Sequence, residues 1–578
     1  MNTGTKLTGY LRQLKARLRG SGWPRISPDE EPPLRSELFN ADQMERHGKA
    51  LAASHQLKPG RAPDQLLARL AANENALVKV CKMLTAAVSA KRRITPAGEW
   101  LLDNFYLIEE QIRTAKRHLP KGYSRELPRL AHGPSVGCPR VYDIALETIA
   151  HGDGRVDAET LTRFVTAYQT VTELKLGELW AIPIMLRLAV IENLRRVAVW
   201  IAAGWDERNL AYSWADQMRE TAEHDPKSLI LVIADMVRSD PPMVSAFVAE
   251  LARRLQGRGP TLALPLTWIE QRLSESGLTI EQLVQAENQM QAANQVSISN
   301  SIGSLRLLGA IDWREFVETM SVVERTLLED PDGVYGRMDF GTRDRYRHAT
   351  ERIAKESRLS EGEVAGKAVE LARAAAALDA GGGSGGRVAH VGFYLIDKGL
   401  PQLERAAEVR RGRAETLRRA MGAFPLPLYL GAIALLTAII TACLMALAAG
   451  KSAWLLLPFG VVSLLAASRL AAGLVNWLAT LLVMPHPLPR LDFSQGIPAA
   501  SRTLVVVPTM LTSAAGIENL AEALEVRFLA NRDACLHFAL LTDFGDAHAE
   551  SLAEEEALVR GLRTLRVLQR DLDRRVRV

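Results

Sequence analysis

Two short stretches toward the end of the sequence put polar residues where a parallel sheet does its chemistry. RTLVVVPTMLTS, residues 502–513, is a β-branched apolar run that gives way to Pro508 and Thr509, and LHFALLTDF, residues 536–544, ends on Thr542 and Asp543. Parallel sheets bind ligands at the carboxyl ends of their strands. A carboxylate at that place accepts hydrogen bonds from a ribose or a uracil, and the adjoining loop lies against the base. Asp543 serves equally well as a turn former, and the residues alone leave both roles open. No G-x-G-x-x-G and no G-x-x-x-x-G-K-[ST] follows either run, so neither a dinucleotide fingerprint nor a P-loop is predicted.

Other polar clusters carry less. His151-Gly152-Asp153-Gly154 is expected to be a loop between helices rather than a polar site. Glu109 and Glu192 each precede an arginine by four residues, Arg113 and Arg196. That spacing predicts ion pairs on a helix face, worth only about 0.2–0.5 kcal/mol apiece, and no catalysis is assigned to them. Arg345, Tyr346 and His348 in TRDRYRHA, and Trp180, Trp313 and Trp477, are expected to be structural. The four cysteines, Cys81, Cys138, Cys443 and Cys535, form no C-x-x-C pair, which fits a reducing compartment and argues against a disulfide framework or a zinc-cysteine site.

The elements that must position Pro508, Thr509 and Asp543 are legible from periodicity. SAAGIENLAEALEVRFLANR, between the two apolar runs, spaces its apolar residues as an amphipathic helix does. Strand, helix and strand within some forty residues predict a βαβ unit, hence a parallel pair. Thr503–Val507 is expected to be covered on both faces. Upstream, residues 36–379 are predicted to be a large helical domain: ADQMERHGKALAASHQL, RLAANENALVKVCKMLTAAVSA and LLDNFYLIEEQIRTAKRHL all repeat apolar residues every three or four positions. Residues 1–35 are predicted to be loose, and 380–423 form a Gly-rich linker followed by a basic juxtamembrane segment.

Between the helical region and the sheet lies a membrane pattern. Residues 424–449 contain no charge, and about twenty residues suffice to cross the hydrocarbon, so a transmembrane helix is predicted there. Residues 453–484 return as a second one, which either completes its span or bends into an interfacial helix after Arg469 and Asn476. Arg405, Arg410, Arg411, Arg413, Arg418 and Arg419 precede the first span, whereas the turn carries only Lys451. By the positive-inside rule both flanks are cytoplasmic. The formal net charge is only +5 and basic residues are not interleaved with aromatics, so nucleic acid is not an expected partner. Membrane lipid is.

Taken together, LPRLDFSQGIPAASRTLVVVPTMLTSAAGIENLAEALEVRFLANRDACLHFALLTDFGDA (488–547), GEWLLDNFYLIEEQIRTAKRHLPKGYSRELPRLA, PRVYDIALETIAHGDGRVD and AHVGFYLIDKG resemble, in order, segments of the cyclic β-1,2-glucan synthases, glycosyltransferase family 84. The resemblance reaches from about residue 36 onward. It implies a multi-pass inner-membrane enzyme of Gram-negative bacteria that polymerises glucose from UDP-glucose, needs a divalent metal (Mg or Mn) and delivers a β-1,2-glucan to the periplasm. The fold it implies is mainly α, with a cytoplasmic helical domain, a membrane hairpin and, from residue 485 to 578, the first βαβ unit of a GT-A-like α/β transferase domain. Only Pro508, Thr509 and Asp543 can be matched to its donor-nucleotide pocket. The metal ligands and the catalytic base would lie beyond Val578, so no catalytic residue is assigned. The chain is expected to be an amino-terminal portion that is inactive by itself. Arg469 and the closing run RVLQRDLDRRVRV depart from the family pattern. A reading from another class is a membrane-anchored helical scaffold that performs no chemistry.

Overall fold

The computed structural model describes residues 31–58, 65–119, 122–379, 387–410, 424–448, 453–482, 487–511, 513–544 and 556–560. Residues 1–30 of the expected loose segment 1–35, the glycine linker 380–386, most of the arginine cluster, the hairpin turn 449–452 and the closing basic run lie outside the described residues, whereas Leu34 and Arg35 are held by Asn193 and Asp153. The chain divides into two compact units, residues 1–325 and 326–578.

The first unit is helical. α1 (Ala41–Ser54), α2 (Leu66–Ser89), α3 (Pro96–Asp103), α4 (Phe105–His118), α5 (Arg140–His151) and α6 (Ala158–Gln169) surround α7 (Leu176–His224). Their starts follow capping chemistry. Asn40 and Gln43 form a reciprocal capping box on α1, Thr95 caps α3 with Pro96 in its first turn, and Asp157 caps α6. These side chains satisfy amide groups that have no partner within the helix. Two-residue strands β1 (Leu57–Lys58) and β2 (Arg129–Leu130) pair antiparallel.

The amino-terminal half of α7 is buried on nearly all sides, and Ile182, Met185, Leu186, Ala189, Val190 and Leu194 are each no more than 1% exposed. A helix of that pattern belongs at the centre of a bundle. α7 does not end near Gly204, where the apolar run of the sequence ends. It continues for twenty residues to His224, because Ala211, Trp214, Ala215 and Met218 enter a second core with α8 (Leu229–Arg238), α9 (Ser245–Leu255) and α10 (Ala263–Ser274). That burial outweighs the roughly 1 kcal/mol that a mid-helix glycine costs. α11 (Ile280–Ala310) and α12 (Trp313–Met320) close over α7, and α13 (Val322–Leu327) follows.

In the second unit, α14 (Phe340–Lys355), α15 (Glu361–Asp379), α16 (Val391–Ile396) and α17 (Leu400–Ala406) bury Tyr346, Ile353, Val364, Ala368, Leu395 and Leu403 among themselves. α18 (Pro425–Leu447) and α19 (Ala453–Leu482) follow. Both are long and apolar enough to cross a membrane, with mean hydropathy of 2.5 and 1.8. The core helix of a soluble protein would be covered, yet only 6% and 17% of these windows are buried. Apolar surface of that extent is stable in lipid and not in water.

α18 and α19 pack through small residues. Ser463, Ala467 and Ala471, one helical turn apart, are buried, as is Thr437 of α18. The Met445 sulfur sits 3.5 Å from where a Cβ on Gly460 would lie. Such seams let membrane helices approach closely. The Tyr429 hydroxyl donates to Asn476 Oδ1 at 2.6 Å, which gives Asn476 a partner that the sequence did not reveal. Cross-helix bonds of this kind are worth about 0.6 kcal/mol on average. α19 runs through Leu482 as one helix of 30 residues, about 45 Å at 1.5 Å per residue. No break sets off an interfacial segment, and the excess over the hydrocarbon thickness is taken up by tilt or by helix outside it.

After the second span the chain returns to the helices that precede the first. Met338 and Leu491 form an antiparallel bridge. Asp339 N donates to Arg490 O at 3.0 Å, Asp492 N to Arg337 O at 2.8 Å and Arg490 N to Thr342 Oγ1 at 3.0 Å. β3 (Thr503–Leu511), α20 (Ala514–Ala530) and β4 (Leu536–Phe544) complete the described fold, with β3 and β4 parallel as expected.

Two expectations for β3 require correction. The strand does not stop at Val507 but carries on through Pro508 and Thr509 to Leu511. Proline fits there because β4 is its one paired neighbour among the described residues, and an edge strand tolerates a missing N–H. Nor is β3 covered on both faces. Val505, Val507, Thr509 and Leu511 alternate with exposed Leu504, Val506, Pro508 and Met510. α20 shields the first set, with Phe528 edge-on to Phe538 at 6.5 Å. A single helix layer cannot cover the second.

Candidate functional site

The register of the strand pair decides which predicted site residues meet. Pro508 lies beside Leu541, Thr509 beside Thr542 and Met510 beside Asp543. Paired residues share a face and successive ones alternate. Pro508 and Asp543 therefore stand on the uncovered face with Met510 and Leu541, whereas Thr509 points with Thr542 to the face that α20 shields. The three candidates do not converge on one spot: Pro508 and Asp543 are brought together and Thr509 is not. The Phe544 amide donates to Asp543 Oδ1 at 2.9 Å, and the carboxylate is otherwise exposed. The open face around it carries Met510 and Leu541, both well exposed, a surface suited to the flat side of a base.

The opposite ends of the strands hold a cleft that the sequence did not single out, lined by Phe493, Gly496, Ile497, Arg532 and Asp533. Asp533 accepts from the amides of Cys535 at 2.7 Å and Ile497 at 2.8 Å, and these bonds hold its carboxyl below the ordinary range. Asp533 thus ties the chain ahead of β3 to the start of β4, a structural task at the amino end of the pair. Asp543 is the one carboxylate at the described strand ends, so no ligand set for the divalent metal implied by the family resemblance is assigned within the described residues. No step is derived through such an ion.

Glu192 is not on a surface helix face. It is 0% exposed and accepts from Arg69 Nε and Nη2 at 3.0 and 2.6 Å, Asn73 Nδ2 at 2.7 Å, and Arg195 and Arg196 at 2.9 Å each. The sequence showed the Arg196 spacing but not Arg69 and Asn73 on α2. Burial pushes the carboxyl up, the Arg69 hydrogen bonds and the arginine charges pull it down, and the second effect wins at about 2. A carboxylate so saturated has no lone pair left for chemistry.

TRDRYRHA resolves into structural contacts. Asp330 Oδ2 lies 2.7 Å from His390 Nδ1, and His390 Nε2 lies 3.2 Å from the Tyr346 hydroxyl, an arrangement resembling a nucleophile relay. Tyr346 is only 2% exposed, and a Cβ added to Gly392 would come within 2.2 Å of its hydroxyl. No substrate fits there. Burial pushes the Tyr346 phenol up to about 12, which leaves it a neutral donor. Arg345 donates to the Pro487 carbonyl at 2.5 Å. Hydrogen bonds to Asp344 and Glu351 raise half-exposed His348 to about 9.

The architecture is that of a mainly helical protein with two helices long and apolar enough to cross a membrane, followed by a parallel strand–helix–strand unit. No family model matches the chain. It is 33% identical over 532 residues to the cyclic beta-(1,2)-glucan synthase NdvB of Rhizobium meliloti (strain 1021), an alignment that covers 90% of this chain and 18% of that protein. The chain is therefore a relative of a cyclic β-1,2-glucan synthase, and it spans about a fifth of the length of the curated relative it matches.

Proposed function

We propose that the chain forms the membrane-anchoring part and the opening of the donor-binding sheet of a glucosyltransferase that builds β-1,2-glucan from UDP-glucose. The observation that carries this reading is the identity to the glucan synthase along nine tenths of the chain. The fold supports it through the parallel β3–α20–β4 unit, whose uncovered face presents Pro508 and Asp543. β3–α20–β4 is then the first part of a GT-A-like domain, with Asp543 accepting from the ribose or uracil and Pro508 flanking the base. Thr509, which faces α20, supports the strand rather than touching the nucleotide.

UDP-glucose binding to the detergent-solubilised full chain tests the pocket. Asp543→Ala is expected to weaken binding roughly ten- to hundredfold, from about 1.5–3 kcal/mol for a hydrogen bond to a charged group. Binding unchanged in that variant removes Asp543 from the site, and a wild-type chain that binds no UDP-glucose overturns the donor reading altogether.

In this reading the protein sits in the bacterial inner membrane with both flanks of the hairpin cytoplasmic, where the donor is available, and the glucan leaves on the other side. The Met338–Leu491 bridge supports flanks on one side, since it pairs residues from before the first span and after the second. Arg405 and Arg410 ahead of α18 support the cytoplasmic assignment. Protease added outside intact spheroplasts is expected to leave residues before 424 and after 487 undigested. Cleavage of either flank defeats the orientation.

A further inference from the structure

We propose that His47, Glu147 and His151 form a divalent transition-metal site of zinc type in the helical unit. His47 comes from α1, whereas Glu147 and His151 lie one turn apart on α5. The three donor groups fall within 4.8 Å of one another. His47 Nε2 is 2.8 Å from Glu147 Oε2, and His151 Nε2 is 3.3 Å from the same oxygen.

The hydrogen bonding of His151 carries the argument. Its Nδ1 lies 2.7 Å from the Glu37 carbonyl oxygen. A carbonyl only accepts, so Nδ1 bears a proton and Nε2 is the ring nitrogen directed at the Glu147 carboxylate. The pair is bridged either by a second ring proton or by a metal ion in its place. A ring N–H held by a backbone carbonyl is also the usual support for a metal-binding histidine, because it fixes the tautomer and the ring plane.

The geometry suits zinc. Metal bonds of about 2.0–2.1 Å in a tetrahedron place ligand atoms about 3.3–3.4 Å apart. The Glu147–His151 separation already has that value. The His47–Glu147 separation must open by about half an ångström, which the partly exposed Glu147 side chain can supply. Both rings are held in place. Phe39 stacks on His151 at 3.8 Å with 9° between the planes, and Phe164 lies parallel to His47 at 6.1 Å. Gly48 lets α1 press onto α6, since a Cβ there would meet the Phe164 carbonyl oxygen at 2.9 Å. Two imidazoles and one carboxylate select Zn²⁺ or a similar borderline cation over Mg²⁺ or Ca²⁺. Side-chain exposures of 25% for His47 and 31% for Glu147 leave the fourth position open to water. The ion would join α1 to α5 and offer one exchangeable coordination place.

The test uses the untagged full chain in detergent, stripped with a chelator and titrated with Zn²⁺ alone at neutral pH by calorimetry. A single saturable site is expected, abolished by chelator, with a Zn²⁺-dependent rise in melting temperature. His47→Gln and Glu147→Gln are each expected to weaken binding at least about tenfold, and exposed His132→Gln to leave it unchanged. Absence of saturable Zn²⁺ binding in the wild type overturns the proposal without relying on any variant. So does wild-type affinity in His47→Gln, or equal competition by Mg²⁺.

Discussion

Replacement of Glu192 by glutamine is expected to destabilise the helical unit by about 3–5 kcal/mol, the usual loss when one partner of a buried ionic cluster is removed. Arg69, Arg195 and Arg196 converge on a carboxylate that is 0% exposed. Without its charge Arg195 and Arg196, each 14% exposed, are left largely desolvated, while Arg69 at 37% keeps part of its hydration and Glu31 at 41% remains as a counter-charge. The amide of the variant can accept some of the hydrogen bonds but cannot offset the charge. Hydrogen exchange of the α7 amides measures the effect locally, and protection is expected to fall by two to three orders of magnitude. Exposed Glu109 is the control: its removal should change protection by less than about 0.5 kcal/mol.

Glu192 also sets a pH dependence. Its carboxyl is held at about 2 in the folded chain against 4.5 ordinarily. A depressed carboxylate pKa stabilises the fold above the unfolded value, and that stability is lost as pH falls through the folded one. Between pH 5 and 2 the wild type should therefore lose about 3 kcal/mol that the glutamine variant never had. Parallel acid profiles of the two proteins would refute the assignment.

Glu178→Gln is the second large effect, again about 3–5 kcal/mol. Arg140 grips Glu178 with Nε and Nη2, both at 2.7 Å, and the side chains are 3% and 1% exposed. Nη2 also reaches the Glu173 carbonyl at 2.7 Å, and the guanidinium lies 5.9 Å from the Tyr168 ring centre. Removing the carboxylate strands a desolvated cation. Removing both charges, as in Arg140→Met with Glu178→Leu, should cost much less. Its main loss is the Glu178 hydrogen bond to the Lys175 amide at 3.0 Å, worth about 1 kcal/mol as an N-terminal cap. A double variant no more stable than Glu178→Gln alone would show that the pair is not the source of the effect.

The sequence by itself determined the two membrane helices and the β3–α20–β4 unit, because both rest on local information. A sufficiently long apolar run suits lipid whatever its neighbours do, and two β-branched apolar runs joined by an amphipathic helix predict a parallel pair. What only the tertiary structure decided were the relations between segments far apart in the chain. The four-residue spacing of Glu192 and Arg196 was visible, but its value depended on whether α2 would lie over it and seal it from water. His47 stands a hundred residues from Glu147, and Tyr429 finds Asn476 only when the hairpin closes. The extent of α7 past Gly204 and of β3 past Val507 followed the same rule: periodicity and propensity fix what a segment can become, while burial against distant partners, which no short window contains, sets where it ends and what its charges are worth.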